Sequence, residues 1–399
     1  MANTSSQPSL NLHLKPQTVL FKKEGKITYR IPALIYISES KTFLAFAEKR
    51  RSPNDKDADV LVMRKGLKKG CSVKWSPVQE LNKAILPHYR SMNPCPVYKS
   101  NTLFLFFICV YDHVTEHDQR CSGKNQTRLC CTISRDQGET WEETTDLTES
   151  VIGEEYGNWA TFGVGPGHGI QMKNGRLIIP AYAYYIDKKP GTKNCQCITT
   201  SHALAFYSDN DGETWKKGGK IQTQSNECQM AELIDQEGKS KLYCNARTPG
   251  DHRVEAWSGN SSEIAFDING LSKCLVETDS GCQGSVLSFH NPEPAKEESS
   301  SSTSHKSTWL LYSHPSHKKH RKNLALYLNR TPLETSGWEN VKVICEGHSG
   351  YSDLTQCEET FACLMECGEK SEVERISFLE FSFKTSVSNQ DKCCCCRYL

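Results

Sequence analysis

The chain has 399 residues, enough for two ordinary domains or for one large domain built from repeats, and either can bury an extensive core. Its 48 basic and 47 acidic side chains nearly cancel, which argues against a global attraction to nucleic acid or to an anionic membrane. Any anion-binding site must therefore come from the local placement of basic side chains.

The first eight residues carry neither a basic start nor an apolar stretch, so no secretory signal is predicted and the body of the chain is expected in the cytosol. In that reducing compartment most of the 20 cysteines are expected to be free thiols that pack as small apolar side chains. The clusters Cys195-Gln-Cys197 and Cys357-x5-Cys363-x3-Cys367 lack the paired Cys-x-x-Cys spacing of a zinc site. No metal and no organic cofactor is predicted.

Short runs rich in Val, Ile, Phe and Tyr recur along the chain, separated by Gly, Asn, Asp and Pro. In chain order, examples are residues 33–37, 44–47, 103–111, 177–179 and 203–207. This pattern, with few long amphipathic stretches, is typical of an all-β protein. The most apolar run, 103–111, is less than half of the roughly 20 residues that a membrane-spanning helix needs, so it is predicted to be a buried strand.

Two copies of a box of the form Ser-x-Asp/Asn-x-Gly-x-Thr-Trp begin at Ser134 and Ser208, 74 residues apart. In each box the Asp or Asn is expected to accept hydrogen bonds from nearby backbone amides, and the Gly to permit the turn. The Trp is expected to pack between neighbouring sheets. Irregular repeats at about the length of a blade predict a β-propeller in which these boxes are scaffold.

Several separated motifs resemble those of the vertebrate sialidase (neuraminidase) family. Besides the two boxes, they are residues 29–32 (Tyr-Arg-Ile-Pro), 245–247 (Asn-Ala-Arg), 281–284 (Gly-Cys-Gln-Gly) and 350–354 (Gly-Tyr-Ser-Asp-Leu). The resemblance extends from about residue 29 to about residue 383 and is strongest to the membrane-associated ganglioside sialidases. It implies a six-bladed β-propeller of four-stranded antiparallel blades, and exo-α-sialidase activity on gangliosides, with glycoproteins as a second substrate class.

Sialic acid, the sugar implied by this resemblance, carries a carboxylate on its anomeric carbon. The site must neutralise that charge, and a guanidinium matches both carboxylate oxygens. The resemblance implies that Arg30, Arg247 and Arg321 perform this role. Because the same carboxylate would repel an anionic nucleophile, a neutral phenol is favoured. Tyr351 is the implied nucleophile, and Glu227 is the implied base that takes its proton.

Asp55 is the implied acid/base group, with Asp57 and Asp59 as alternatives in the same segment. It would protonate the departing glycosidic oxygen and then activate water, with retention of stereochemistry.

The resemblance also implies further substrate contacts. Arg50 is placed near O4 of the sugar, although a structural ion pair with Glu48 is the alternative. Met92, Tyr182 and Tyr184 are expected to line the pocket for the N-acetyl and glycerol groups. Glu116 and Gln283 are expected in the polar subsite. Glu366 is expected to hold one of the three arginines in position. His168 lies in a glycine-rich turn and is expected to be structural.

We predict three segments: an N-terminal tail at 1–18, a propeller at 19–385 with a disordered insertion at about 292–306, and a cysteine-rich tail at 386–399. The tail contains Cys393, Cys394, Cys395 and Cys396, which are candidates for S-acylation. Geranylgeranylation at Cys396 and an unmodified solvated tail are the alternatives. Acylation would make the protein a peripheral protein of the plasma membrane or endomembranes; otherwise it is expected in the cytoplasm.

Two other functions compete with the enzyme. A catalytically silent sialoside-binding propeller would keep the arginines and lose the Asp, Tyr or Glu, whereas all three are present here. A purely structural interaction propeller gives no reason for acidic and basic residues to match the family from Arg30 through Glu366. The sequence therefore favours the hydrolase.

Overall fold

The structure is a computed structural model that describes residues 11–188, 197–235, 237–259, 262–290, 308–334 and 336–384. The predicted insertion at about 292–306 and Cys393 to Cys396 lie outside these residues. The described residues form 26 strands and one short α-helix, so the all-β prediction is confirmed. Each of the five apolar runs named above lies within a strand.

The strands are short to medium in length and are separated by turns. In chain order they are β1 (Asn11–Leu14), β2 (Thr18–Lys22), β3 (Thr28–Ile37), β4 (Thr42–Arg50), β5 (Ala58–Lys69), β6 (Ser72–Trp75), β7 (Gln79–Glu80), β8 (Tyr89–Lys99), β9 (Thr102–Tyr111), β10 (Thr127–Ser134), β11 (Thr145–Asp146), β12 (Trp159–Val164), β13 (Ile170–Gln171), β14 (Leu177–Lys188), β15 (Ile198–Ser208), β16 (Lys216–Lys217), β17 (Cys228–Ile234), β18 (Ser240–Ala246), β19 (His252–Ser258), β20 (Ile268–Val276), β21 (Ser285–His290), β22 (Thr308–Pro315), β23 (Lys322–Asn329), β24 (Trp338–Cys357), β25 (Thr360–Gly368) and β26 (Arg375–Lys384). The helix α1 spans Glu116–Ser122, and short 3-10 or π turns occupy Asp55–Asp57, Thr148–Ile152, Gly153–Asn158 and Glu372–Glu374.

These strands form five antiparallel sheets within the described residues. Four sheets have the size of a single blade: β3 to β7, β8 to β11, β12 to β16, and β17 to β20. The fifth has eight strands and contains β21 to β26 together with β1 and β2. The prediction of six separate four-stranded blades was therefore wrong: four blade-sized sheets accompany one larger sheet.

The long strand β24 is the physical reason for this difference. Its first part pairs with β23, from Trp338 opposite Asn329 to His348 opposite Lys322. Its second part pairs with β25 and ends with Cys357 opposite Thr360. One continuous strand thus joins two groups of strands that would otherwise be separate sheets.

The sheets follow one another around a common axis. Contacts between inner strands run from β3 to β8, from β8 to β12, from β14 to β17 and from β17 to β21. The last sheet returns to the first through contacts of β24 and β25 with β3. The inner strands therefore present their ends, and the connections that follow them, to one central region.

The N-terminal strands complete the eight-stranded sheet. Asn11 lies opposite Lys384 and Thr18 lies opposite Phe378, so both β1 and β2 pair with β26. The predicted boundary of the N-terminal tail was therefore wrong, because Asn11–Leu14 and Thr18 belong to the sheet. Their pairing partners lie more than 350 residues further along the chain, where no local pattern can reveal them.

The two boxes have the predicted internal hydrogen bonds. Asp136 Oδ1 accepts from the backbone amide of Thr140 at 2.8 Å, and Asn210 Oδ1 accepts from that of Thr214 at 3.0 Å. The box glycines lie in the left-handed region, with φ of 84° at Gly138 and 86° at Gly212. Asn therefore replaces Asp in the second box without loss of the turn.

The box tryptophans pack between sheets, as the sequence predicts. Trp141 meets Phe46 of β4 edge-on at a centroid distance of 6.3 Å, and Trp215 meets Phe106 of β9 at 4.5 Å. In both cases the Trp contacts the sheet that precedes its own in the chain. The boxes therefore contribute to packing between successive sheets.

Candidate active site

A cavity of about 310 Å³ opens where the inner strands converge, and is called the central cavity below. It brings together 11 of the 13 predicted site residues: Arg30, Arg50, Asp55, Met92, Glu116, Tyr182, Tyr184, Glu227, Arg247, Arg321 and Tyr351. They come from strands or connections in all five sheets. The volume lies at the lower end of the range of about 300–1,000 Å³ for small-molecule pockets.

Three inner strands have a β-bulge beside a cavity residue. The pairing register shifts between Arg30 and Ala33 in β3, between Met92 and Cys95 in β8, and between Ser349 and Ser352 around Tyr351 in β24. A bulge bends its strand and changes the direction of nearby side chains. The strands can therefore direct these side chains into the cavity while the rest of each ladder remains intact.

Buried carboxylates accept hydrogen bonds from the backbone amides at these bulges. Glu366 accepts from Ile31 N at 2.9 Å and from Tyr351 N at 3.1 Å. Glu48 accepts from Asn93 N at 2.7 Å. Because an unpaired buried amide is costly, these glutamates stabilise the bulged geometry as well as the arginines that they contact.

Glu366 also forms an ion pair with Arg30, as the sequence predicts. Arg30 Nε lies 2.9 Å from Glu366 Oε1, and Arg30 Nη2 lies 3.2 Å from Oε2, so the pair is bidentate. Burial opposes ionisation of Glu366, but the Arg30 guanidinium outweighs it and holds the pKa of this carboxyl below its usual value. A Cβ on residue 350 would lie 2.5 Å from Glu366 Oε2, so glycine at this position leaves room for the Glu366 carboxylate beside the backbone.

Tyr351, Glu227 and Arg247 form one hydrogen-bonded cluster inside the cavity. Tyr351 Oη lies 2.5 Å from Glu227 Oε1, and Arg247 Nη1 donates to Tyr351 Oη at 3.1 Å. The same Arg247 nitrogen contacts Glu227 Oε2 at 2.8 Å. The residues come from β24 and from the two connections beside β17 and β18, which explains how groups 124 residues apart in sequence meet.

The environment of Tyr351 keeps its phenol protonated at rest. Burial raises the pKa of Tyr351 well above 10, and the negative charge of Glu227 raises it further, against the opposing effect of Arg247 and Arg321. A phenol with so high a pKa cannot act as a phenolate without help. The adjoining carboxylate is placed to receive its proton.

Arg30 and Arg321 lie beside the ring of the same tyrosine. Their guanidinium carbons are 5.4 Å and 5.2 Å from the ring centroid of Tyr351. Arg321 Nη2 also donates to the carbonyl of Gly281 at 3.1 Å. With Arg247, the three predicted arginines thus surround one phenol and form a positively charged wall suited to a carboxylate.

Asp55 lies at the cavity edge in the 3-10 turn Asp55–Asp57. Its side chain is 72% exposed, and Arg50 Nη1 holds it at 2.6 Å while Arg50 Nη2 contacts Glu48 at 2.6 Å. Desolvation by the surrounding wall opposes ionisation, but Arg50 and Arg30 lower the pKa of Asp55 below its usual value. Of the three aspartates considered in this segment, Asp55 is the one that lines the central cavity.

The opposite wall contains the predicted tyrosine pair. Tyr182 and Tyr184 project from one face of β14, with ring centroids 6.2 Å apart. Arg120 of α1 lies 4.3 Å above the Tyr184 ring and 3.2 Å from Glu116. Burial raises the pKa of Tyr184 to about 12 and also raises the pKa of Tyr182 and of Glu116, so both phenols stay protonated and can donate hydrogen bonds to a polar ligand.

Gln283 is a correction to the sequence prediction. It lies behind the cavity wall, where its Nε2 donates to the carbonyls of Pro166 and Ser352 at 3.2 and 3.0 Å. Its Oε1 accepts from Ser352 N at 3.0 Å. These backbone contacts occupy the amide, so it supports the segment that contains Tyr351 and does not line the polar subsite.

His168 also lies behind the wall, as a structural histidine would. Its Nδ1 is 2.7 Å from Asp353 Oδ1, and its side chain is largely buried. Ser285 Oγ and the amide of Leu34 bind the same aspartate at 2.8 and 2.7 Å. Asp353 thus connects three sheets directly beneath the strand segment of Tyr351.

Sequence reasoning missed several residues of the cavity, among them Arg90, Gln119, Thr161 and Asn226. Two of these had a usable signal. Arg90 precedes Met92 by two residues in β8, and alternate residues of a strand share a face. Asn226 immediately precedes Glu227, the implied base. Gln119 and Thr161 are brought to the wall by α1 and β12, whose positions the sequence did not predict.

Comparison with known proteins gives the family. The BNR repeat-like domain family matches residues 41–363. Mouse sialidase-3 is 47% identical over 405 aligned residues, which cover 94% of this chain and 96% of the mouse protein. Mouse sialidase-2 is 42% identical, covering 91% and 94%. The chain belongs to the sialidase family. It is an exo-α-sialidase, a glycoside hydrolase.

Solved structures share the fold of this sialidase at low sequence identity. The Hadza microbial sialidase Hz136 has a TM-score of 0.68 at 20% identity, covering 88% of this chain and 65% of that chain. A Trypanosoma rangeli sialidase in complex with 2,3-difluorosialic acid has a TM-score of 0.67 at 18% identity, covering 92% and 59%. This chain spans less than two thirds of those two proteins, and the likeness shows the fold alone.

The described part of this sialidase contains no helix that could cross a bilayer. Its one α-helix has 7 residues.

Proposed function

We propose that this sialidase is a retaining exo-enzyme that removes terminal sialic acid through a covalent intermediate on Tyr351. The observation that carries the proposal is the 2.5 Å hydrogen bond between Tyr351 Oη and Glu227 Oε1, inside a cavity walled by three arginines. A phenol paired with a base serves as a nucleophile that the substrate carboxylate does not repel.

In the first step, the arginines bind the carboxylate of sialic acid and place its anomeric carbon near Tyr351. Tyr351 Oη attacks that carbon while Glu227 takes the phenolic proton. Asp55 gives its proton to the glycosidic oxygen, and the bond from that oxygen to the anomeric carbon breaks. Asp55 must be protonated for this step, whereas Arg50 and Arg30 favour its ionised form in the free enzyme.

In the second step, Asp55 removes a proton from water, and the water oxygen attacks the anomeric carbon. The bond to Tyr351 Oη breaks, and Glu227 returns the proton to the phenolate. Two displacements at one carbon give net retention. Neutralisation of Arg30 by the substrate carboxylate removes one of the charges that lower the Asp55 pKa, so binding itself favours the acid form.

Terminal sialic acids of gangliosides are the proposed substrate, with glycoproteins as a second class. The small central cavity supports an exo mode, because it has room for one terminal sugar and little more. The ganglioside preference rests on the resemblance to ganglioside sialidases and on the similarity to sialidase-3. Release of sialic acid from a simple ganglioside and from a sialylated glycoprotein, at equal concentrations of sialic acid, tests this preference.

The covalent step is tested by incubating the purified enzyme with 2,3-difluorosialic acid and measuring its intact mass. We expect one added glycosyl group on the wild type and none on Tyr351→Phe. Tyr182→Phe is the matched control, since it also removes one hydroxyl from a cavity tyrosine. Peptide mapping should place the added mass on Tyr351.

Activity on 4-methylumbelliferyl sialoside and proton NMR of the released sugar complete the test. We expect turnover by the wild type, loss of at least about 10³-fold in Tyr351→Phe, and the α-anomer of sialic acid as the first product. The β-anomer as first product would contradict retention. Binding of sialic acid without turnover by the wild type would instead support the sialoside-binding alternative.

Peripheral membrane attachment through the C-terminal cysteines is a separate proposal. Two acyl chains on Cys393 to Cys396 would anchor the protein far better than one. Metabolic labelling with an alkynyl palmitate should give a signal that disappears when all four are changed to Ser. Labelling that persists in that variant would contradict acylation of this tail.

A further inference from the structure

A second cavity of about 550 Å³ adjoins the central cavity and is called the outer cavity below. The two share Arg90 in their walls. The outer cavity is lined by residues of three segments, namely Arg51, Ala58 and Asp59, residues 85–90, and residues 112–113, together with Glu143. These segments connect strands of the first two sheets. None of the residues that line only the outer cavity has been given a role in the central cavity.

The segment that holds Asp55 separates the two cavities. Asp55 lines the central cavity, whereas Arg51 and Asp59 line the outer one. The segment is closed on itself, because Arg51 N donates to Asp57 O at 2.8 Å. An acid at Asp55 must reach the glycosidic oxygen, so the leaving group has to pass this segment. The outer cavity is therefore next to the position of the bond that breaks.

We propose that the outer cavity binds the neutral hexose units of the leaving group. This inference rests on the proposed role of Asp55 and extends it to the other side of the scissile bond. A sugar of this class presents hydroxyls that donate and accept hydrogen bonds, and an apolar ring face. The enzyme would then recognise sialic acid in one cavity and its carrier sugar in the other.

The side chains of the outer cavity match that chemistry. Arg51, Asp59, His88, Asp112 and His113 make no side-chain hydrogen bond with any described residue, although each can make one. The set contains both donors and acceptors, which hydroxyl groups require.

An aromatic surface lies beside these polar groups. The Tyr89 ring, partly exposed in the outer cavity, meets Tyr111 edge-on at 5.4 Å. We assign this ring as the contact for the apolar face of a hexose. Aromatic groups with a few placed polar groups are the usual lining of a ligand site.

The walls are held in place before any ligand binds. Arg90 donates to the carbonyls of Tyr111 and Val114 at 2.9 and 2.5 Å, and Asp112 N donates to His88 O at 3.1 Å. His88 and His113 have φ of 68° and 65°, a left-handed conformation that is uncommon for His. Two loops are thus fixed against each other with both imidazoles beside the cavity.

The test compares kcat/KM for 3′-sialyllactose, whose leaving group is a neutral disaccharide, with kcat/KM for 4-methylumbelliferyl sialoside. We expect Arg51→Ala and His113→Asn each to lower the value for sialyllactose about 10-fold and to change that for the other substrate less than 2-fold. Asn is used because it tolerates the left-handed backbone. Lys56→Ala, on the same segment but in neither cavity, should match the wild type on both substrates.

Three outcomes would overturn the proposal. Equal losses on both substrates would indicate damage to Asp55 rather than lost sugar contacts. Unchanged values on both would leave the outer cavity without a role in the leaving group. A much larger effect of Arg51→Ala on an α2,8-linked disialyl substrate than on sialyllactose would indicate an anionic occupant. Absence of wild-type turnover on every substrate would count against the proposed function itself, and thermal unfolding of each variant checks that it is folded.

Discussion

Arg247 and Arg253 occupy the two sides of one hairpin, yet they have opposite environments. Arg247 follows β18 and faces the central cavity, where it contacts Glu227 and Tyr351. Arg253 lies in β19, is fully buried, and donates to Glu277 at 2.8 Å and to the carbonyl of Cys282 at 2.6 Å. Each arginine has a glutamate partner, but only the first pair borders the cavity.

The difference separates a charge that a ligand can reach from a structural charge. A ligand carboxylate can enter the cavity and bind Arg247, so that pair can change partners. The Arg253 and Glu277 pair is sealed from water, and Glu277 also accepts from the amides of Thr248 and Cys282 at 3.1 and 3.2 Å. These amides flank Arg247 and the segment of Gly281 that binds Arg321. The buried pair thus supports the loops on which two of the three cavity arginines depend.

The largest expected effect is on kcat, and it should differ between two glutamates of the central cavity. Glu227→Gln should lower kcat about 10²- to 10⁴-fold, because the amide cannot take the proton of Tyr351. Glu116→Gln, at the rim of the same cavity, should lower it less than about 10-fold, the scale of one hydrogen bond. Steady-state kinetics on 4-methylumbelliferyl sialoside measure both. Losses of similar size would remove Glu227 from the role of base.

The arginines should differ in stability. Arg253→Met leaves the buried Glu277 charge without its partner and should lower the free energy of unfolding by about 3–5 kcal/mol. Arg247→Met should lower it by about 1 kcal/mol or less, because water in the cavity can solvate Glu227. The second variant should instead raise KM about 10- to 100-fold. Urea unfolding measures the change in stability of each variant, and steady-state kinetics measure KM. Equal destabilisation by the two substitutions would contradict the assignment of Arg253 as structural and Arg247 as a cavity residue.

Glu277→Gln should change the pH dependence of stability. Burial raises the pKa of Glu277, but Arg253 outweighs it and brings the value to about 2. Because this lies below the unfolded value of about 4.3, the ionised group stabilises the fold above that pH, and the stabilisation is lost as pH falls towards 2.

Between pH 6 and 2, wild type should therefore lose about 3 kcal/mol more than Glu277→Gln. Denaturant unfolding across that range gives the comparison. Parallel curves for the two proteins would mean that Glu277 does not titrate with a lowered pKa.

The smallest expected effect concerns the pH profile of activity. Arg50 and Arg30 lower the pKa of Asp55 below its usual value of about 3.9. The half-point, meaning the pH at which kcat/KM has fallen by half because Asp55 has lost its proton, should therefore lie below that value. Activity should fall as pH rises through that point, because the carboxyl loses its proton. If the substrate carboxylate offsets Arg30 in the complex, as proposed, the corresponding half-point of kcat should lie at a higher pH than that of kcat/KM.

Asp55→Asn supplies the control for this profile. The limb assigned to Asp55 should disappear, and the loss of activity should be greater for sialyllactose than for the 4-methylumbelliferyl substrate, whose leaving group needs less protonation. Persistence of the same limb in Asp55→Asn would assign it to another group.

Local interactions explain which parts of the fold were predictable. The two boxes were recognisable because Asp136 and Thr140, or Asn210 and Thr214, interact within one turn. The merging of two strand groups through β24 depends on pairing across the whole sheet, which no single segment reveals. The strand at Asn11–Leu14 likewise obtains its partner from the far end of the chain.

The same difference between local and long-range interactions applies to the candidate site. The family resemblance identified Tyr351, Glu227 and the three arginines, and the structure brings these residues into one cavity. Gln283 lies in an equally recognisable motif, but its direction is set by Pro166, which follows β12 of another sheet, and by Ser352 of β24. The outer cavity had no motif, since it is assembled from three connections whose side chains share no sequence pattern.

The pairing of β1 and β2 with β26 also makes the final sheet a late product of synthesis. The strand Thr18–Lys22 is translated about 350 residues before Arg375–Lys384, a delay of roughly 20–70 s at ordinary ribosomal rates. During that interval the first strands have an open edge, which other chains can pair with. Closure of the ring therefore has to wait for translation, and the nascent protein needs protection at its N-terminal end for most of that time.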